Sequence, residues 1–178
     1  MKNLICALAL AAATLFAGPA SAALDAPQRV QFAAAINAET DPALVACRAV
    51  RNDGCIAGWY NTATATLAWR PAVSRQALFL LTDTDSFAGR TAGQREMWVM
   101  MQNNAPVDMR LDSMRLAIHK IWAAADRDVI LTGCTEFATR FELVYGGSNA
   151  TTGNVTALKR NLIGPVSVSD VSASLNGD

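Results

Sequence analysis

The chain has 178 residues, 52% hydrophobic and only 17% charged, and its 15 basic and 15 acidic side chains leave no formal net charge. That length suits one domain with a sizeable core. The charge balance gives no basic field for a phosphate backbone and argues against nucleic acid as a partner, and the single histidine, His119, rules out a multi-histidine metal site.

Residues 1–22 read as a secretion leader. Lys2 makes a short basic start, Leu4 to Ala17 an apolar run, and Ala20-Ser21-Ala22 a small-residue cleavage site. The run is short for a membrane span, so no stable membrane insertion is expected. The other reading is an uncleaved apolar helix, or an extension upstream of a cytoplasmic protein. Without the leader, Lys2 is lost from the 15 basic residues and no acid is lost, leaving a charge of about −1.

Residues 23–178 read as a single helical domain. A first helix runs from Ala26 to Ala38. Asp41 caps a second, with Pro42 at its first position, and it extends to Asn52. Asp53 caps a short third helix carrying Ile56, Trp59 and Tyr60. Thr62 to Ala68 is a loop or extended segment leading to Trp69-Arg70, and Pro71 pushes Arg70 out of the helical region. Ser74 caps Arg75 to Leu81, Asp83 to Gly89 is a polar loop, and Thr91 to Gln102 is helical.

The centre of the reading is Asp108 to Tyr145. Leu111, Met114, Ile118, Ile121 and Trp122 recur at helical spacing, and so do Ile130, Cys134, Phe137, Phe141 and Val144. The polar break Asp126-Arg127-Asp128 separates them. The pattern predicts two antiparallel helices packed stripe to stripe, with Phe137 buried against the helix of Ile121, and a stop at Gly146-Gly147. Beyond a polar loop, Val155 to Leu162 predicts a strand pairing with Val166 to Val168 in a small hairpin. Ser169 or Asp170 then caps a final turn. The fold class expected is mainly α: one domain around a central helix pair, with a C-terminal hairpin.

Chemistry is sparse. His119 sits on the central helix with no nucleophile in a strained elbow nearby in sequence, so it reads as a surface residue and not as a hydrolase base. Glu136 and Arg140 stand four apart on the expected helix. Asp83, Asp85 and Ser86 lack the spacing of a calcium loop. No catalytic residue, metal or cofactor is expected. Cys47 and Cys55 flank the turn Arg51 to Gly54 and could bond in an oxidising compartment; alternatively they and Cys134 are small buried apolar side chains. Trp59, Tyr60, Trp69 and Arg70 are the candidates for a protein interface, because Trp, Tyr and Arg dominate interface hot spots; the competing role is core packing. Pro71 is expected to hold Trp69-Arg70 in a turn from which side chains project.

Motifs spread over residues 27–176 resemble a family of small proteins encoded among the virion genes of tailed bacteriophages and prophages. They are Asp41-Pro42 with Val45, Ile56 to Asn61, Trp69-Arg70 and Thr91 to Arg95. Further on come Ile118 with Ile121-Trp122, Ala138 to Glu142, Thr152 to Leu158 with Arg160-Asn161, and Val168 to Asn176. The C-terminal block is the most specific. The resemblance implies a non-enzymatic, mostly helical structural or assembly protein near the head–tail junction or in the tail. Its partners would be other virion proteins and copies of itself in a ring, in the virion or the host cytoplasm. The leader departs from the family pattern. If it is cleaved after Ala22, the chain is instead an exported helical protein that binds a small partner in the periplasm or outside the cell.

Overall fold

Short polar side chains set the helix starts. In the structure, a computed structural model that describes residues 23–177, Asp25 and Gln28 form a reciprocal capping box at the start of α1 (Ala26–Ala38). Asp41 caps α2 (Pro42–Ala49) and Asn52 caps α3 (Asp53–Tyr60). Ser74 caps α4 (Arg75–Leu80), Asp83 caps α5 (Thr84–Ala88), and Thr91 with Gln94 boxes α6 (Ala92–Asn103). The stretch expected as a polar loop at Asp83 to Gly89 is therefore helical: Asp83 accepts from the Ser86 amide and nucleates one turn. The leader lies outside the described residues.

The central helix pair is not formed as expected. α7 (Asp112–Ile121) and α8 (Ala124–Gly133) pack on each other, but they break at Trp122-Ala123, not at Asp126. Past Gly133 the chain becomes β2 (Thr135–Thr139), and only then the short α9 (Arg140–Val144). The helical spacing of Ile130, Cys134, Phe137 and Phe141 is thus divided among three elements. The reason is pairing. β1 (Ala63–Trp69) lies antiparallel to β2, with Leu67 opposite Phe137 and Trp69 opposite Thr135. A ladder partner overrides a helical period in a stretch whose Thr135, Phe137 and Thr139 also alternate as a strand does. Phe137 is 59% exposed, whereas Ile121 is fully buried, so the expected contact between their helices is absent.

The fold is an α/β mixture, not a helical domain with one hairpin. A sheet of order β2-β1-β4-β3 runs through its centre. β3 (Gly147–Thr152) and β4 (Val155–Arg160) form the hairpin, and β4 lies parallel to β1. β4 was expected to pair forward with Val166 to Val168. It pairs backward with the supposed polar loop, because Gly153 turns the chain at φ 61° and a Cβ there would lie 2.4 Å from Arg127 Nε. Val168 instead enters α10 (Val168–Asn176), boxed by Ser167 and Asp170.

Among the described residues two large apolar cores result, with a small third cluster of Ala68, Ala138 and Leu158 between strands. One gathers Trp69, Leu78, Trp98, Met109, Ile118, Ile121, Ile130 and Leu131 under the sheet. The other joins both ends of the described chain: Phe32, Ile36, Leu44, Ile56, Tyr60, Phe141 and Val171. Its rings stack edge to face, Phe32 lying 4.8 Å from Tyr60 and 5.2 Å from Phe141. A Cys47–Cys55 disulfide ties α2 to α3, and Cys134 is free and buried.

Candidate functional site: a charged cavity beside the sheet

The site begins at Trp69. It ends β1, an inner strand, so its side chain enters the core with no exposure. The indole Nε1 donates to the Ala150 carbonyl at 3.1 Å. The Arg115 guanidinium lies 4.9 Å from the ring centroid. Arg115 is itself only 1% exposed and donates to Thr152 Oγ1, to the Met109 carbonyl and to Asp112.

The carbonyl of Trp69 accepts from Arg160 Nη2 at 3.2 Å, and this links the indole to a second group of charges. Arg160 closes β4 with its side chain 3% exposed, and Nη1 donates to Glu142 Oε1 at 2.8 Å. Glu142 is equally buried. Its Oε2 also accepts from the Thr139 amide at 2.8 Å and its Oε1 from the Gly164 amide at 3.3 Å. It therefore caps α9 and holds the loop after β4 at once. Arg160 Nη2 reaches Glu136 Oε1 at 2.5 Å, and Arg70 Nε stands 3.8 Å from Glu136 Oε2. Arg160 Nε has no hydrogen-bond partner among the described residues.

These four charges line a cavity of about 660 Å³ whose other walls include Asn61, Pro71, Phe137, Ile163 and Pro165. Asn61 fastens one wall: its Oδ1 accepts from the Val166 amide at 2.8 Å and its Nδ2 donates to the Val166 carbonyl at 2.9 Å. The Arg160–Glu142 pair, 3% exposed on both sides, costs several kcal/mol per charge to bury and persists only with well-placed partners, whereas the Arg70–Glu136 pair stays open to water. Arrangements of this kind can hold a fixed geometry or recognise a charged group.

The four interface candidates are divided. Trp69 and Tyr60 are buried, and Trp69 does not project from the turn at Pro71; the strand carries it inward before the proline acts. Burial, reinforced by Glu39, pushes the Tyr60 phenol up to about 12. Trp59 and Arg70 keep partial exposure. Arg140 lies 4.2 Å over the Trp59 ring and donates to the Trp59 carbonyl at 3.3 Å. Arg70 faces the cavity, so only it and Trp59 meet solvent.

The residues that sequence reasoning missed are Arg115, Glu142 and Arg160. One signal was present: Thr139-x-x-Glu142 has the spacing of a capping box, which places a helix start at Arg140 and so ends the expected central helix. Nothing local marks Arg160 as buried. His119 is exposed, with Nδ1 3.2 Å from Arg127 Nη1. Burial pushes the Cys134 thiol up to about 12, well away from a reactive thiolate. Among the described residues no group of three His, Cys, Asp or Glu side chains is placed to hold a metal ion, and no helix is long and apolar enough to cross a membrane. No family profile, curated protein or solved structure matches the chain.

Proposed function

We propose that the chain is a non-enzymatic structural or assembly protein of a tailed-bacteriophage or prophage virion, working at the head–tail junction or in the tail through other virion proteins and copies of itself. The motif resemblance supplies the class. The observation that supports an assembly role is the apolar surface of two neighbouring helices. α4 leaves Phe79 and Leu80 at 65% and 73% exposure, and α6 leaves Met97, Val99 and Met100 uncovered. Exposed large apolar side chains on adjoining helices supply the surface that protein–protein contacts use. The test is to recover particles from the host that carries the sequence and to measure the intact mass of the chain in particles, cytoplasm and periplasm. Its presence in purified particles supports the reading. A periplasmic chain starting at Ala23, with none in particles, overturns it.

One observation favours a second reading, an exported protein that binds a small partner. The Cys47–Cys55 bond suits an oxidising compartment, where such bonds persist, and so agrees with the leader. The same fractionation decides between the two.

A further inference from the structure

We propose that the cavity beside β2 is a receptor for a small apolar monocarboxylate, which takes the place of Glu136 between Arg70 and Arg160. The inference stands on the cavity alone and needs neither reading of the function.

Three observations carry it. The first is the unequal fastening of the two glutamates. Glu142 accepts from two backbone amides and from Arg160, and its side chain is 3% exposed. Among the described residues Glu136 has only the two arginines as hydrogen-bond or ion-pair partners, and its side chain is 43% exposed on an edge strand. Glu136 can therefore turn out to water without disturbing the backbone.

The second is the unused donor. A carboxylate binds a guanidinium best through the parallel Nε and Nη2 fork. Arg110 uses that fork on Asp108, at 2.9 and 2.6 Å. On Arg160 the tethered Glu136 takes Nη2 alone, and Nε, buried with the rest of the side chain, is left without a partner. An untethered carboxylate can close both arms.

The third is fit. With Glu136 turned out, the lining keeps Arg70, Arg160 and Glu142, two positive charges against one negative, and one carboxylate neutralises the remainder. Phe137, Ile163, Pro71 and Pro165 supply apolar walls for the rest of the ligand, in a volume within the range of small-molecule sites.

The experiment titrates the full folded chain with 3-phenylpropanoate and 4-methylpentanoate, and with 3-phenylpropan-1-ol as the uncharged control. It follows the side-chain Nε–H resonance of Arg160 and the amides of Phe137 and Gly164 by NMR. Expected are saturable shifts with both acids and a downfield move of the Arg160 Nε–H. The alcohol should bind roughly tenfold or more weakly, the scale of a charge-assisted hydrogen bond. Glu136→Gln, which removes the internal competitor, should tighten the acids several-fold. Arg70→Ala should weaken them while leaving the rest of the spectrum native. The proposal fails if the acids give no saturable shift at tens of millimolar, if the alcohol binds as well, or if Glu136→Gln leaves the affinity unchanged. It also fails if a blocked peptide carrying glutamate binds where the free acids do not, since the cavity would then be a socket for a partner protein.

Discussion

Trp69 and Trp59 each carry an arginine on the ring face, at 4.9 and 4.2 Å, yet they sit in opposite surroundings. Trp69 and Arg115 are both buried within the sheet-side core. Trp59 and Arg140 are half-exposed at the edge of the helical core. A cation over an aromatic ring is worth ~0.5–1 kcal/mol where water competes and ~2 or more where it is excluded. The chemistry of the pair therefore does not set its role; the water around it does. Where strand pairing forces the tryptophan inward, the arginine must find a partner for every nitrogen, and the pair becomes framework. Where the tryptophan sits on a helix flank, the same pair is left available to another surface.

Trp69→Ala should have the largest effect. It removes a fully buried indole, the hydrogen bond to Ala150 and the cover over Arg115. The expected loss is ~3–5 kcal/mol, enough to unfold a marginal domain. Thermal and denaturant melts check it. A midpoint shift of a degree or two would erase the contrast with Trp59. Glu142→Ala should cost a similar amount, because it leaves Arg160 buried against a single, displaceable carboxylate.

Next in size is the disulfide, and it separates the two cores. Closing so short a loop between Cys47 and Cys55 is worth ~2.5 kcal/mol by the loop-entropy estimate. Cys47→Ser with Cys55→Ser should lower the melting midpoint and speed hydrogen exchange in α1, α2, α3 and α10, with the sheet much less affected. Alkylation of the native protein should leave Cys134 unlabelled until unfolding, since its thiol is buried and held largely protonated. Equal exchange in both cores would show that they unfold as one unit.

The elements where local signals agreed were legible in the sequence. Asp41-Pro42 and Ser74 fix helix starts by capping, a contact within a few residues, and the structure has both. The sheet was not legible, because its evidence is non-local. Thr62 to Ala68 read as loop or strand until Thr135 to Thr139 came to lie beside it, and no periodicity in either stretch names the other. Of the site, Arg70 was singled out for its tryptophan neighbour. Glu136, Glu142 and Arg160 acquire meaning only when β1, β2, β4 and α9 converge. A substitution shows the same point. Phe137→Ala would cost ~3–5 kcal/mol if Phe137 were buried on a helix stripe. At 59% exposure on an edge strand it should cost under about 1 kcal/mol. Thermal melting separates the two outcomes.

The smallest effect on stability is expected at Trp59 and Arg140, and it bears most directly on the comparison. Each single alanine variant should cost less than about 1 kcal/mol, and the double-mutant cycle should give a coupling of ~0.5–1 kcal/mol, as exposed cation–ring pairs do. The bond from Arg140 Nη1 to the Trp59 backbone carbonyl survives Trp59→Ala and is lost with Arg140 in either background, so it cancels from the cycle and the coupling reports the ring contact. If the half-exposed pair is framework like its buried counterpart, Trp59→Ala will melt the helical core by several kcal/mol through Tyr60, whose ring lies 4.8 Å away. If it is surface, the variant stays folded by circular dichroism. Under the assembly proposal it then forms rings, or enters particles, less well than the parent at the same concentration. A tryptophan stacked on an arginine and still open to water is the combination that interface hot spots favour. A folded Trp59→Ala variant that assembles normally would remove this pair from the interface and leave the apolar faces of α4 and α6 to carry it.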